Sequence, residues 1–397
     1  MKILVLCTTY PRDKNDASSI FLKTLYESIA NNNTSVHIRI VAANDSTRNS
    51  YESGNIILGI KRFNYWFRKF QTLAYKDAVM SNLNSNPFRL LLVPFFILGM
   101  LITGLKEAYK FKPDIVHAHW ALPCGIVGVI IKYIFKCQLI VTSHGGDVYG
   151  FTKGIGSFLL RWIYKRTDII NPVSQPLKEE ILSITKGKEV EKMWVQSMGV
   201  DPTKFYYIPN SKTLIDFDEE KKLLLFVGRL SEVKGLEVLL NALVGLKENN
   251  WECWIIGDGN LKEKIEMDIA QKDLKQKVKL IGSIPNDQLK TYYSASDILL
   301  IPSAPAVGGQ EGLPVTLMEG LLCKCSIIAS TIGGMKLFTN SKQVVLVEPG
   351  NSLDLRNTII KKWIGTKIDS GEGEEFTIKR VAGNYCQKYS SLNNNSD

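Results

Sequence analysis

Histidine is scarce in this chain, with four in 397 residues, and none of its seven cysteines forms a Cys-x-x-Cys pair. A histidine-rich metal centre and a disulfide framework are therefore both excluded as organising devices. Cys7, Cys124, Cys137, Cys253, Cys323, Cys325 and Cys386 are scattered, most in apolar surroundings, and read as small core residues of a protein kept reduced. The opening apolar run, Met1 to Cys7, is too short for the core of a signal peptide and fits a buried first strand. The expected location is the cytoplasm. Thirty glycines and fourteen prolines show no collagen-like period, and 45% apolar with 10% aromatic content excludes a disordered chain. Acidic residues are in deficit: 39 Asp and Glu against 49 Lys and Arg leave a net charge of +10. That excess favours anionic partners, with phosphorylated metabolites, nucleic acid and acidic membrane all open.

The length suits two ordinary domains, with room for a third. Ile3–Leu6, Val36–Val41, Ile115–His117, Leu139–Thr142 and Ile169–Val173 are strand-like runs separated by helical patterns such as Phe21–Ala30. After the charged stretch Asp216–Lys222 the pattern restarts with Leu223–Val227. Trp251–Ile256, Val278–Ile281, Ile298–Ile301, Ile327–Ala329 and Val344–Val347 follow, and Leu236–Lys247 is helical. Strand–helix alternation predicts parallel, doubly wound sheets, here two α/β domains of Rossmann type. The expected division is 1–210 and 211–375, with the helix 376–390 packing back on the first domain. Ligands of such sheets bind beyond the carboxyl ends of the strands. Two of them facing each other predict a cleft.

The densest chemistry lies in Gly308-Gly309-Gln310-Glu311-Gly312-Leu313-Pro314-Val315-Thr316-Leu317-Met318-Glu319, where a glycine-rich loop opens a helix. Amides at such a terminus suit a phosphate. Glu311 and Glu319 stand roughly 12 Å apart at helical rise, a span comparable with that from a bound sugar across a diphosphate to a ribose. Taken alone, the pair also fits a solvated helix face. Val227-Gly228-Arg229-Leu230-Ser231-Glu232-Val233-Lys234-Gly235 likewise joins a strand to a helix, placing Arg229 and Lys234 where two fixed cations can neutralise a diphosphate.

With Gly257-Asp258-Gly259, Thr331-Ile332-Gly333-Gly334, Asp114-Ile115-Val116-His117-Ala118-His119-Trp120 and Ser143-His144-Gly145-Gly146-Asp147, the chain resembles the retaining glycosyltransferases of family 4 over nearly its whole length. The resemblance implies a GT-B fold and transfer of a hexose-type sugar from a nucleotide sugar to a glycan or lipid-linked acceptor. It further implies roles: Arg229 and Lys234 on the donor diphosphate, Glu311 on donor-sugar hydroxyls, the amides of Gly312, Leu313, Pro314 and Val315 on phosphate. Glu319 would accept from the ribose hydroxyls and the base would lie by Ser283 and Ile284. His144 would orient the donor sugar, with His119 and Asp147 lining the acceptor side. The catalytic set is then His144, Glu311, Arg229 and Lys234. His117 reads as a structural strand residue.

The chain departs from the family at Ser19, where relatives usually carry glycine, at Lys324, in place of a small Ala-Gly pair, and after Gly334, where Met335-Lys336-Leu337 replaces an acidic stretch. No metal and no cofactor is expected, since Arg229 and Lys234 supply the positive charge and the one Asp-x-Asp, Asp216-Phe217-Asp218, lies in the interdomain stretch. Leu90–Leu105 is charge-free but as a helix reaches only roughly 24 Å, short of a bilayer core of roughly 30 Å. Lys61, Arg62, Arg68 and Lys69 interleave with aromatics nearby. These segments fit either a buried helix with a basic loop or peripheral attachment to an anionic membrane surface; no nucleic-acid module surrounds them, and no nucleic acid is expected as a partner. Surface-polysaccharide or lipopolysaccharide synthesis is the implied pathway. A nucleotide-sugar 2-epimerase of the same fold and a non-catalytic sugar-nucleotide-binding membrane adaptor are the competing readings.

Overall fold

The computed structural model describes residues 1–13, 16, 18–45, 58–75, 82, 86–246, 250–305, 312–363 and 367–394. The chain divides into two compact units, one of Met1–Gly199 with Ile378–Asp397 and one of Val200–Thr377.

Among the described residues the first unit is built on six parallel strands: β1 (Lys2–Leu6), β2 (His37–Ala43), β3 (Leu58–Phe63), β4 (Ile115–His119), β5 (Gln138–Ser143) and β6 (Ile169–Pro172). Their order is β3-β2-β1-β4-β5-β6. The second unit repeats it with β7 (Lys222–Val227), β8 (Trp251–Ile256), β9 (Val278–Gly282), β10 (Ile298–Ile301), β11 (Ser326–Ser330) and β12 (Val344–Val347). Counted from its own first strand, that sheet has the same order, outward from β7 to β9 on one side and through β10 to β12 on the other. Each is the doubly wound arrangement, with a point between the first and fourth strands where the chain reverses direction of travel.

Most strand positions are apolar because helices cover both faces of each sheet, with polar side chains such as His117, His119 and Glu252 as the exceptions. In β7, Leu223 and Leu225 enter one core cluster and Leu224 and Phe226 the other, as a period of two requires. The helix Ile20–Asn32 buries Leu22, Leu25, Tyr26 and Ile29 at helical spacing. The closing helix, Ile378–Asn394, contributes Val381, Tyr385 and Tyr389 to the core of the first unit. Six of the seven cysteines are buried and all are free.

Two departures from the family pattern acquire a backbone meaning. Ser19, at the start of the first helix, has φ 53°, in the left-handed region, and its hydroxyl meets that of Thr9 at 2.6 Å. Lys324 has φ 58°. It follows the helix Val315–Leu322, whose last carbonyls take a two-bond cap, from the Cys325 N–H to Gly320 at 2.9 Å and the Lys324 N–H to Leu321 at 3.0 Å. Glycine is preferred there because a Cβ in the left-handed region costs about 1–2 kcal/mol. The ion pair of Lys324 with Asp369, half in solvent, returns little of that. Lys324→Gly is therefore expected to raise unfolding stability by about 0.5–1 kcal/mol, read as a shift in the denaturant midpoint. An unchanged or lower midpoint would show that the ion pair outweighs the backbone strain.

Candidate active site

The loops at the carboxyl edge of the second sheet are held by contacts that leave no room for side chains. Gly235 ends the loop after β7 at φ +67°, and a Cβ there would lie 1.9 Å from the carbonyl oxygen of Pro302, beyond the end of β10. The Ala304 N–H donates to the Val233 carbonyl at 3.1 Å, tying the same two loops together. Gly257, after β8, sits at φ +140° with its would-be Cβ 1.9 Å from the Gly228 carbonyl oxygen. Leu230 N–H donates to the Asp258 carbonyl at 3.0 Å. The Gly-Asp-Gly motif thus buttresses the backbone on either side of Arg229. Arg229 itself is exposed and Lys234 half-buried, in a short 3₁₀ turn, Glu232–Lys234. On the far side, the Gly334 N–H donates to the Gly312 carbonyl at 2.8 Å, joining the loop after β11 to the entry of the helix Val315–Leu322. Gly312 and Pro314 are buried, Leu313 and Val315 half-buried. Pro314 has no N–H, so it offers the phosphate nothing and shapes the helix start instead. Glu311, together with 306–310, lies outside the described residues.

Glu319 is only 4% exposed and accepts from the Tyr293 hydroxyl at 2.7 Å. The solvated-face alternative therefore fails for this residue. Burial raises its carboxyl to a pKa of about 7, against hydrogen bonds from Tyr293 and Asn286 that favour the anion. Asn286 belongs to the loop that follows β9, and Ser283 (exposed) and Ile284 (half-buried) stand in the same loop. The structure thus brings Glu319 and the 283–286 loop together, with Arg229 and Lys234 on the loop of the central strand of the same sheet. Asn286 and Tyr293 escaped the sequence reading. Neither lies in a glycine-rich turn, and nothing in one sequence links them to a glutamate 26 or more residues away.

In the first unit, His144 follows β5 and is half-buried among Trp120, Phe21 and His119, with ring centroids 4.8, 5.3 and 5.3 Å away. Burial pushes its pKa down to about 3, so it is neutral at pH 7. Two expectations need correction here. His119 does not line a surface: it is fully buried beneath His144, its Nδ1 3.1 Å from His144 Nε2. Because strand side chains alternate, His117 and His119 share one face of β4, and the helices cover that face. Asp147 is buried too, with Oδ2 accepting from the Ala121 N–H at 2.6 Å and Oδ1 from the His144 and Gly145 N–H groups at 2.9 and 3.1 Å. It holds the His144 loop against the end of β4. Burial raises its pKa despite those amides.

A polar chain runs behind His144. The Tyr26 hydroxyl lies 2.6 Å from His119 Nε2 and 2.8 Å from His117 Nδ1, and the Tyr389 hydroxyl 2.8 Å from the same Nδ1. His117 Nε2 meets Thr142 Oγ1 at 2.7 Å, and that hydroxyl donates to Asn171 Oδ1 at 3.0 Å. Thr142 has thereby committed its proton, so its oxygen accepts from His117 Nε2–H and His117 Nδ1 must be an acceptor. His117 is held down to about 3 by burial and then by His144, and burial holds His119 well below its ordinary value. Tyr26 and Tyr389 had no motif to mark them. Each occupies an apolar face at helical spacing, where a tyrosine reads as core.

Among the described residues no three His, Cys, Asp or Glu side chains gather closely enough to hold a metal ion. Residues 36–210 match the family described as Glycosyltransferase Family 4, and residues 209–364 the one described as Glycosyl transferases group 1. An uncharacterized glycosyltransferase of Methanocaldococcus jannaschii is 25% identical over 326 residues, 79% of this chain and 84% of the relative. The amylovoran biosynthesis glycosyltransferase AmsK of Erwinia amylovora is 34% identical over 176 residues, 44% and 42% of the two chains. Among solved structures, Anabaena HepE in complex with UDP and glucose superposes with a TM-score of 0.72 at 16% identity, covering 98% of this chain and 100% of that one. With both halves matched in tandem and two doubly wound sheets of the GT-B fold, the chain belongs to the family 4 glycosyltransferases.

Proposed function

We propose that this glycosyltransferase moves a hexose from a nucleotide sugar, a UDP-hexose first among candidates, to a glycan or lipid-linked acceptor in surface-polysaccharide or lipopolysaccharide assembly, with retention of configuration. The observation that carries the donor half is the pairing of a buried, hydrogen-bonded Glu319 with two cations, Arg229 and Lys234, on loops of one sheet edge. A carboxylate there suits two vicinal hydroxyls of a ribose, the cations suit a diphosphate, and the 283–284 backbone suits a base. HepE, solved with UDP and glucose, supports the donor class, and AmsK, by its name, the pathway. In the reaction the acceptor hydroxyl attacks the anomeric carbon from the side the diphosphate leaves. The bond from that carbon to the phosphate oxygen breaks, and the departing oxygen takes the acceptor's proton. Arg229 and Lys234 stabilise the charge gathering on the diphosphate, so no divalent ion is invoked. His144, neutral at pH 7, serves as a hydrogen-bonding partner for a sugar hydroxyl. Glu311 is assigned to the donor sugar on its place in the motif alone.

The test is thermal denaturation with UDP-, GDP- and ADP-hexoses in the presence of a chelator. A hundredfold excess over Kd stabilises a bound state by about 2.7 kcal/mol, enough to raise Tm visibly. One base class is expected to shift Tm, and Glu319→Ala to weaken that shift and raise KM more than it lowers kcat, because a ribose contact is made equally in ground and transition states. Glu311→Ala is expected to act chiefly on kcat. No shift with any donor, or a shift abolished by the chelator, would overturn the assignment.

A further inference from the structure

The helix Val93–Phe111 turns apolar side chains outward. Phe96, Met100, Gly104 and Ala108, four apart, are buried on the side facing the first sheet. Phe95, Leu98 and Ile102 on the other side are exposed, and Leu91 (70%) and Phe88 (81%) in the preceding 3₁₀ turn, Pro87–Leu92, prolong the stripe. A surface helix of a soluble protein normally presents polar residues to water on that face. Trp66 packs on Phe95 with ring centroids 4.5 Å apart and carries the patch to exposed Phe67 (76%) and Phe70.

The charge along the patch is predominantly positive, and the first acidic residue of the helix, Glu107, is half-buried. The described segments 58–75 and 86–106 contain Lys61, Arg62, Arg68, Lys69, Arg89 and Lys106 and no acidic residue. Arg62 is an exception to the sequence expectation, because it is buried and donates to the carbonyls of Tyr10 at 3.0 Å and Pro11 at 2.6 Å and to the Tyr75 hydroxyl at 2.7 Å. Lys61, Arg68 and Lys69 are exposed. A second copy of the chain placed symmetrically on this patch would bring like charges together.

We infer that this stripe docks the first unit on an anionic lipid surface, with Phe95, Leu98, Ile102 and Leu91 in the acyl boundary, the 66–70 aromatics at headgroup depth and Arg68 and Lys69 among the headgroups. The helical stretch Phe88–Phe111 is long and apolar enough by length and composition to cross a bilayer. Its inner face is occupied by the sheet, so it lies in the interface instead. Apolar insertion then carries more of the binding than the four-cation segment foreseen from the sequence, and high salt weakens attachment without abolishing it.

The test is flotation of the full chain with phosphatidylcholine vesicles, with and without phosphatidylglycerol, at about 0.1 and 1 M salt. No sugar nucleotide is present, so the outcome is independent of the glycosyl-transfer reading. The protein is expected to float with the acidic vesicles and to remain partly bound at high salt. The combined variant Phe95→Ser, Leu98→Ser, Ile102→Ser should lose on the order of a hundredfold in affinity with at most a small drop in Tm, since all three side chains are exposed and only the Phe95–Trp66 contact is lost. Arg68→Ser with Lys69→Ser should lose roughly thirtyfold, on acidic vesicles only. Failure to float on either vesicle, wild-type binding by the triple variant, or resistance to alkaline extraction as a spanning helix would each overturn the proposal. So would a dimer in light scattering that the triple variant converts to monomer.

Discussion

Lys234→Ala and Arg229→Ala are each expected to lower turnover by about two to three orders of magnitude, the usual loss when one preorganised contact to developing charge is removed. The reason lies in how the loop is built. Lys234 is followed by Gly235, wedged against the Pro302 carbonyl, and its own N–H is bonded to Ser231 at 3.0 Å. Arg229 stands between Gly228 and Leu230, both tied to the 256–258 strand end. Such a frame fixes where the cations sit before substrate arrives, so little reorganisation is needed as the glycosidic bond breaks. Both side chains are at least partly exposed, and folding stability should change by no more than about 0.5 kcal/mol. Steady-state kinetics with the donor found by thermal shift, alongside a denaturation curve, would separate the two. Near-wild-type turnover in both single variants would remove the diphosphate from this loop.

The two units are expected to respond to acid in opposite directions. His117 and His144 have pKa values of about 3 and His119 is held well below its ordinary value, whereas unfolded histidine takes a proton near 6.5. Their contribution is fully present above pH 6.5 and is lost as pH falls toward 3. The slope is about 1.4 kcal/mol per pH unit for each histidine. Counting only the fully buried His117, the drop from pH 7 to 5 is roughly 2 kcal/mol, and His119 acts in the same direction. Glu319 has the reverse sign. Its folded pKa of about 7 exceeds the ordinary 4.5, so its contribution is fully present below 4.5 and is lost as pH rises through 7. Acidifying from 7 to 5 should therefore strengthen its surroundings by roughly 2 kcal/mol. Hydrogen exchange, corrected for intrinsic rates, would show protection falling in 115–143 and rising in 315–322. In Glu319→Gln the rise should vanish while the fall remains. Parallel changes in both regions would mean that Glu319 is ionised in the folded protein.

Much of the architecture was legible in the residues themselves. Eleven of the twelve strands among the described residues announce themselves as short, mainly apolar runs, because a sheet covered on both faces buries most of its side chains. The glycine-flanked loops announced themselves as well, since close backbone approach excludes any Cβ. The exception is β3, Leu-Gly-Ile-Lys-Arg-Phe, an edge strand whose run is broken by two cations. Its Arg62 could be buried only because the carbonyls of Tyr10 and Pro11 and the hydroxyl of Tyr75 converge on it, and those come from distant parts of the chain. Residue type and order were enough to place Arg229, Lys234, Glu319 and His144 on strand-end loops or the helix they open. They could not say which side chains water reaches. That was decided by packing: the helices Ile20–Asn32 and Ile378–Asn394 bring Tyr26 and Tyr389 over β4 and turn His119 from a surface ligand into a support. Likewise the outward face of Val93–Phe111 is apolar by sequence, but only the sheet beneath it decides which of its apolar residues are left in solvent. Burial is a property of neighbours, and neighbours distant along the chain are chosen by the fold.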